Sequence, residues 1–198
     1  MATTEAQREK RRQILRAAIT IFARSGYHGS RVSDVATEAG VAYGLVYHYF
    51  GSKEDLLEAI FRSTWRRMLE AVEELEATTT TAREQVAGVA RIVLGAWETD
   101  PDLVRVLVRD VARSPQLGRE VDEIAHAFDA LERIVRHGQA RGELRTDVEP
   151  RLAAWVLYGA LEEILTGWVF ERLPSEAEDV ERAEQAVVAM LTEGMLAH

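Results

Sequence analysis

Apolar residues recur along almost the whole chain at three- and four-residue intervals, the period of a helix buried on one side. Ile14, Ala18 and Phe22 are four apart, with Leu15 and Ile19 beside them, which predicts an amphipathic helix over 8–25 that Gly26 ends. A short helix over 31–39 follows, with Ser30 as its N-cap and Val32, Val35 and Ala36 turned inward. Gly40 is the turn residue, and a second short helix covers 42–49, anchored by Val46 and Phe50. Gly51-Ser52 breaks it, and Ser52 with Asp55 reads as a capping-box variant opening a long helix to about Leu75. Beyond a linker at Thr78–Thr81, helices are expected over 82–97, 101–113, 116–141, 150–171 and 176–196. Pro101, Pro115, Pro150 and Pro174 stand at or near helix starts, where a missing N–H leaves no bond unmade, and Gly142 follows a helix end. No stretch alternates with period two for long enough to be a strand. The expected fold class is all-α, with about nine helices.

Composition narrows this. The 198 residues are 47% hydrophobic, enough for one compact domain or two small ones. The lack of cysteine excludes disulfides and thiolate metal sites. Met1 to Arg12 is polar and charged, which argues against a secretory signal. The longest apolar run, Leu152 to Leu161, is stopped by Glu162 and Glu163, short of the ~20 residues a bilayer span needs. The expected location is the cytoplasm, with no membrane partner.

Charge is distributed unevenly. The net charge is −9, yet residues 1–53 hold eight Lys or Arg against four acids, a local +4, so the remainder carries −13. A phosphate backbone responds to the local field rather than to the chain's sum. A basic head on an acidic body therefore suits a DNA-binding segment joined to something else, although an ordinary solvated charge run would read the same way.

A short helix, a glycine turn and a second short helix within about twenty residues match helix-turn-helix spacing. The second of these helices must turn polar or aromatic side chains outward while a few apolar ones anchor it. Tyr43, Gly44, Tyr47, His48 and Tyr49 cover its outer part, and phosphate oxygens would receive the tyrosine hydroxyls. Packing into the core is the competing role, most of all for Tyr49.

Three stretches carry a family resemblance: Gly29-Ser30-Arg31-Val32-Ser33-Asp34-Val35-Ala36, then Ala39 through Phe50 (AGVAYGLVYHYF), then Ser52-Lys53-Glu54-Asp55-Leu56-Leu57. Together they resemble the N-terminal domain of TetR-family regulators over roughly residues 8–60, and the all-helical remainder suits that family in length. The resemblance implies a DNA-binding domain over 1–52 and a helical ligand-binding and dimerisation domain over 53–198. Ser30 and Arg31 match positions that touch phosphate, whereas Ala42, Tyr43, Gly44 and Leu45 match positions facing major-groove base edges. Tyr47, His48 and Tyr49 match backbone-gripping positions. Lys53 matches one that reaches a phosphate at the N-terminus of the fourth helix, where the helix dipole favours an anion. Two departures stand out. Ala42-Tyr43 replaces the common Ser-Lys or Ser-Arg, and Leu45 replaces Thr. Polar base readout is thinner in consequence, and contacts from Leu45 or Ala42 to thymine methyls plus shape readout are expected instead.

The C-terminal part is expected to pair with a second copy. Leu152 to Leu161 is apolar all round, as in a helix covered on every side, and Gly159 and Ala160 allow close backbone approach. The last helix lines up Val180, Ala183, Val187, Leu191 and Met195. A four-helix dimer interface would cover both stripes, as the TetR resemblance also implies, and would space two recognition helices for a palindromic operator in double-stranded DNA. A buried hairpin in a monomer is the competing arrangement.

Four tryptophans (65, 97, 155, 168) lie outside the recognition module, either as core or as the wall of a cavity. The stretch 147–153, Tyr158 to Glu163 and Thr166-Gly167-Trp168-Val169 resembles FadR-type regulators, as do Gly26-Tyr27-His28 and the Tyr47-to-Phe50 block. That resemblance implies a repressor of fatty-acid metabolism genes released by long-chain acyl-CoA. Such an effector needs an apolar tunnel, with Trp97, His126, Trp155 and Tyr158 as candidate lining, and cations for its phosphates. Arg105, Arg109 and Arg113 at four-residue spacing are the first candidates, then Arg133 and Arg136. Solvation, or pairing with Asp110, Glu120 and Glu132, is the ordinary role for each arginine. A repressor of another hydrophobic drug or metabolite is the alternative, and a helical carrier or adaptor without DNA binding is the alternative of another class. No cofactor or metal is expected, and no enzyme. The five histidines are scattered, there is no HExxH or GxSxG, and Glu162 and Glu163 point in different directions on a helix.

Overall fold

A computed structural model describes residues 5–78, 81–111 and 122–194. The secondary structure assigned to these residues is helical apart from a single isolated bridge residue, Leu144. The helices are α1 (Glu5–Ser25), α2 (Val32–Glu38), α3 (Tyr43–Phe50), α4 (Lys53–Thr78), α5 (Ala82–Leu94), α6 (Ala96–Thr99), α7 (Pro101–Val106), a π turn (Leu107–Val111), α8 (Asp122–Ala140), α9 (Pro150–Val169) and α10 (Ala177–Gly194). The chain forms two compact units. One holds the residues up to Thr64 together with a segment that begins at Asp102. The other holds Trp65–Pro101 with the C-terminal segment.

The first unit follows the expected spacing. Ile14, Ala18, Ile21 and Phe22 of α1 are buried, as are Val32, Val35 and Ala36 of α2 and Val46 and Phe50 of α3. The turns rest on Gly26 and Gly40, at φ +71° and +60°, in the left-handed region where a side chain is strained. Gln13 Nε2 donates to the Ala39 carbonyl at 2.7 Å, tying α1 to the end of α2. The Arg11 guanidinium lies 4.9 Å from the Phe50 ring centroid, tying α1 to α3. At the head of α4 the Asp55 N–H donates to Ser52 Oγ at 3.0 Å, the cap read from the sequence.

One expectation there is corrected. Ser30 does not cap α2. It is buried and its hydroxyl donates to the Tyr27 carbonyl at 2.8 Å, while Arg31 is the N-cap residue and its N–H donates to Asp34 Oδ2 at 3.0 Å.

In the second unit α5, α8, α9 and α10 pack on one another around Val89, Leu94, Leu131, Ile134, Leu157, Leu161 and Trp168. Thr81 and Glu84 form a capping box at α5, and Glu149 caps α9 by accepting the Arg151 and Leu152 N–H groups, with Pro150 at the first helical position. The helix expected over 82–97 breaks at Gly95, where a Cβ would sit 2.6 Å from the Arg91 carbonyl oxygen. The helix expected from 116 is described only from Asp122, and Pro115 lies outside the described residues. The α9 helix has the length and composition of a membrane span, but its inner face is part of this core and it carries Glu162 and Glu163.

The stripe expected to form an interface on the last helix is also corrected. Val180 and Val187 are buried within the chain's own core, with Ala183 and Leu191 packed against it. Met195 lies outside the described residues. The outward side of α10 instead carries Arg182, Gln185, Ala186 and Met190, the last of these 77% exposed. On α9, Leu152, Trp155 and Val156 are each more than half exposed on the single chain, on the side that the expected second copy would cover.

Candidate nucleic-acid interface and effector residues

The outward side of α3 is built by its period. Val46 and Phe50 are drawn inward, so Tyr43 and Tyr47, one turn apart, share the opposite side and are both exposed. Their rings meet edge to face with centroids 5.1 Å apart, and the Tyr43 hydroxyl donates to that of Tyr47 at 3.1 Å. Ala42, the N-cap residue, and Gly44 are exposed, whereas Leu45 is half-buried. A Cβ at Gly44 would meet nothing within 4 Å, so the backbone there is bare. His48 is exposed. Tyr49 is half-buried beside it, with ring centroids 5.5 Å apart.

The residues expected to touch phosphate divide. Arg31 is exposed at the start of α2. Ser30 has no free hydroxyl proton to offer, because that proton goes to Tyr27. Lys53 Nζ donates to the Ser30 carbonyl at 2.7 Å and lies 4.3 Å from the Tyr27 ring centroid. Burial pushes the Lys53 ammonium below its ordinary pKa, against the pull of Glu54 and Asp110.

Tyr27, read from the sequence only as part of the Gly26-Tyr27-His28 resemblance, is a hydrogen-bonding and packing centre of this unit. Its hydroxyl donates to Glu54 at 2.9 Å, its N–H donates to Asp110 Oδ1 at 3.4 Å, and its ring packs on Phe22 and His28. Burial, then the bond to Glu54, pushes the phenol up to about 12. The bond from its own backbone N–H, then the one from Tyr27, holds Glu54 below the ordinary carboxylate range. Burial pushes Asp110 above that range. No sequence signal marks its pairing with Tyr27, because Asp110 stands 83 residues away in the π turn, which apolar spacing does not reveal.

The effector candidates fall in both units. Arg105 and Arg109 belong to the first, Arg105 donating to Asp102 at 2.8 Å, and Arg113 lies outside the described residues. In the second unit, Trp97 Nε1 donates to the Ser175 carbonyl at 3.3 Å and its ring lies 6.0 Å from Trp168. His126 is exposed on α8. Arg133 pairs with Glu76 and Arg136 with Glu132, each at 2.9 Å.

Trp155 and Tyr158 do come together, through Phe128. Trp155 stacks on Phe128 at 4.4 Å, Phe128 meets Tyr158 edge-on at 5.0 Å, and Tyr158 lies 5.8 Å from Trp65. Burial, then Glu162, raises the Tyr158 phenol, and burial, then Glu163, raises the Glu162 carboxyl. Among the described residues no cluster of three or more His, Asp or Glu could hold a metal ion.

Residues 14–60 match the family described as bacterial regulatory proteins, tetR family, and residues 61–194 match the YsiA-like protein C-terminal region. The chain belongs to the TetR family. This TetR-family chain is similar, at 31% identity over 191 residues, to the fatty acid metabolism regulator protein of Bacillus subtilis, with 96% of this chain and 97% of that protein covered. Its fold matches the crystal structure of FadR from B. subtilis in complex with stearoyl-CoA, with TM-score 0.82, 29% identity, and 93% and 98% of the two chains covered. It matches the solved structure of the fatty acid degradation regulator FadR from Bacillus halodurans with TM-score 0.83, 26% identity, and 92% and 94% covered. This TetR-family protein is thus a transcriptional regulator whose helix-turn-helix is α2–α3.

Proposed function

We propose that the chain works as a homodimer on a palindromic operator, as a repressor released by long-chain acyl-CoA. The observation that carries the DNA side is the exposed Tyr43–Tyr47 face, held on an inward Val46–Phe50 anchor and set in a basic segment. Arg31, Tyr47, His48 and Lys53 face the backbone, Lys53 with the N–H groups that its bond to Ser30 leaves over. Ala42, Tyr43, Gly44 and Leu45 face base edges.

The outer sides of α9 and α10 support the dimer. Leu152, Trp155 and Val156 on α9 and Met190 on α10 are exposed apolar side chains of the kind a second copy covers. On this reading Trp155 belongs to the interface, and the effector wall is built from Trp65, Phe128 and Tyr158 behind it.

Near full-length similarity to a fatty acid metabolism regulator, and to a structure holding stearoyl-CoA, supports the effector class. The effector must bind the two states of the dimer with different affinity, typically by 1–3 kcal/mol, to shift DNA binding. The test is release of operator DNA by a series of acyl-CoAs of rising chain length, with free CoA as control. Release at micromolar long-chain acyl-CoA and none by free CoA is expected. Failure across all chain lengths points to another hydrophobic effector.

A further inference from the structure

Two hydroxyls joined by one hydrogen bond have one proton left to offer outward. The Tyr43 and Tyr47 hydroxyls are 3.1 Å apart, on neighbouring turns of α3, with their rings fixed edge to face at 66°. A phosphate oxygen accepts and cannot donate, so a tyrosine that grips the backbone must keep its own proton for it. If Tyr47 makes that contact and the bond between the hydroxyls is kept, the shared proton must come from Tyr43. The outward side of the Tyr43 oxygen then holds lone pairs only.

Resting on the DNA-binding reading above, we infer that Tyr43 is a specificity-determining acceptor. It reads an amino group, adenine N6 or cytosine N4, on the contacted strand and rejects the carbonyl edges of guanine and thymine. The rest of the first turn of α3 leaves this task to Tyr43. Ala42 has no polar side-chain atom, Gly44 has no side chain, and Leu45 offers only apolar contact. A lysine or arginine at position 43 would donate, and would favour guanine O6 and N7. The tyrosine pair therefore inverts the polarity of the readout, from donor to acceptor. The same pair strengthens the backbone grip, since a hydroxyl that accepts one hydrogen bond donates a stronger one.

The proton count makes the two phenylalanine variants differ in kind. Tyr43→Phe removes the acceptor and should erase the preference for amino-bearing bases at one position per half-site. Tyr47→Phe removes the partner, returns the Tyr43 proton to the groove, and should shift that position toward guanine or thymine while weakening binding to every sequence. Neither change touches Val46 or Phe50, and both tyrosines are exposed, so the fold is kept, as a melting curve will confirm.

The experiment is selection from a randomised DNA pool by the full-length wild type and both variants. It is followed by titration of operators in which the selected adenine is replaced by purine, or cytosine by 2-pyrimidinone, each lacking the amino group. The wild type should lose about tenfold in affinity on the amino-deleted operator and Tyr43→Phe nothing, within the range for one base contact. An equal loss by both proteins, or an operator with no amino preference at any α3 position, overturns the inference while leaving the regulator reading intact. An unshifted preference in Tyr47→Phe also overturns it. If the wild type selects no sequence at all, the regulator reading falls and this inference with it.

Discussion

Lys53 Nζ donates to the Ser30 carbonyl at 2.7 Å, so the cation at the head of α4 is fastened to the turn that precedes α2. The ammonium also lies over the Tyr27 ring. Lys53 is therefore part of the frame that holds the head of α4 to the turn before α2, besides its proposed role as a cation near DNA.

The first prediction follows from that double role. Lys53→Ala should lower unfolding stability by about 1–3 kcal/mol, because it removes a charge-assisted bond and a cation–π contact. It should also flatten the dependence of DNA affinity on salt by about one ion. Urea denaturation and a salt titration measure the two effects separately. Full stability in the variant would mean that the Lys53–Ser30 bond contributes nothing.

Gly44 separates folding from binding. It is exposed within α3, its φ lies outside the left-handed region, and a methyl there meets nothing in the protein. Gly44→Ala should raise stability by up to about 1 kcal/mol through helix propensity. It should also weaken operator binding, because on the proposed function the methyl stands where the backbone approaches the groove. Melting temperature and operator affinity moving in opposite directions is the expected pair of results.

The first four helices were legible because each turn glycine coincides with a break in the apolar period, as at Gly26, Gly40 and Gly51. The fate of α10 was not. Val180 and Val187 announce an apolar side, but spacing does not say whether the chain itself or a second copy covers it, and here the chain does. Met190, which shares the outward side with Arg182, Gln185 and Ala186, gave no periodic signal. The π turn at Leu107–Val111 was invisible for a related reason: one extra residue per turn leaves apolar spacing nearly unchanged over so short a stretch. At the DNA face, the four-residue spacing of Tyr43 and Tyr47 placed them on one side, but the bond between their hydroxyls emerged only from the coordinates.

The α9 surface gives the third prediction. Replacing exposed Trp155 and Val156 together by glutamate should leave the helical content of the chain intact and weaken self-association by at least about 30-fold, the loss expected for a central aromatic anchor. Sedimentation across a concentration series measures it. Unchanged association would move the interface away from α9.

Glu162 gives a pH dependence. Burial, then Glu163, raises its carboxyl above the ordinary value, so the folded state favours the protonated form. Its stabilising contribution is present below the ordinary carboxylate range and is lost as pH rises through the raised value. Glu162→Gln should therefore gain stability relative to the wild type on going from pH 4 to pH 7. Denaturation midpoints of both proteins at the two pH values test it, and a constant difference between them would contradict the assignment.

The most direct test of the regulator reading is the affinity of the full-length protein for the DNA upstream of its own gene. Fluorescence anisotropy at low salt, for the wild type and for Tyr47→Ala, measures it. The predicted result is saturable binding by a dimer that weakens steeply with salt and is lost in the folded Tyr47→Ala variant. No binding by the wild type at low salt, or equal binding by the two proteins, would contradict it.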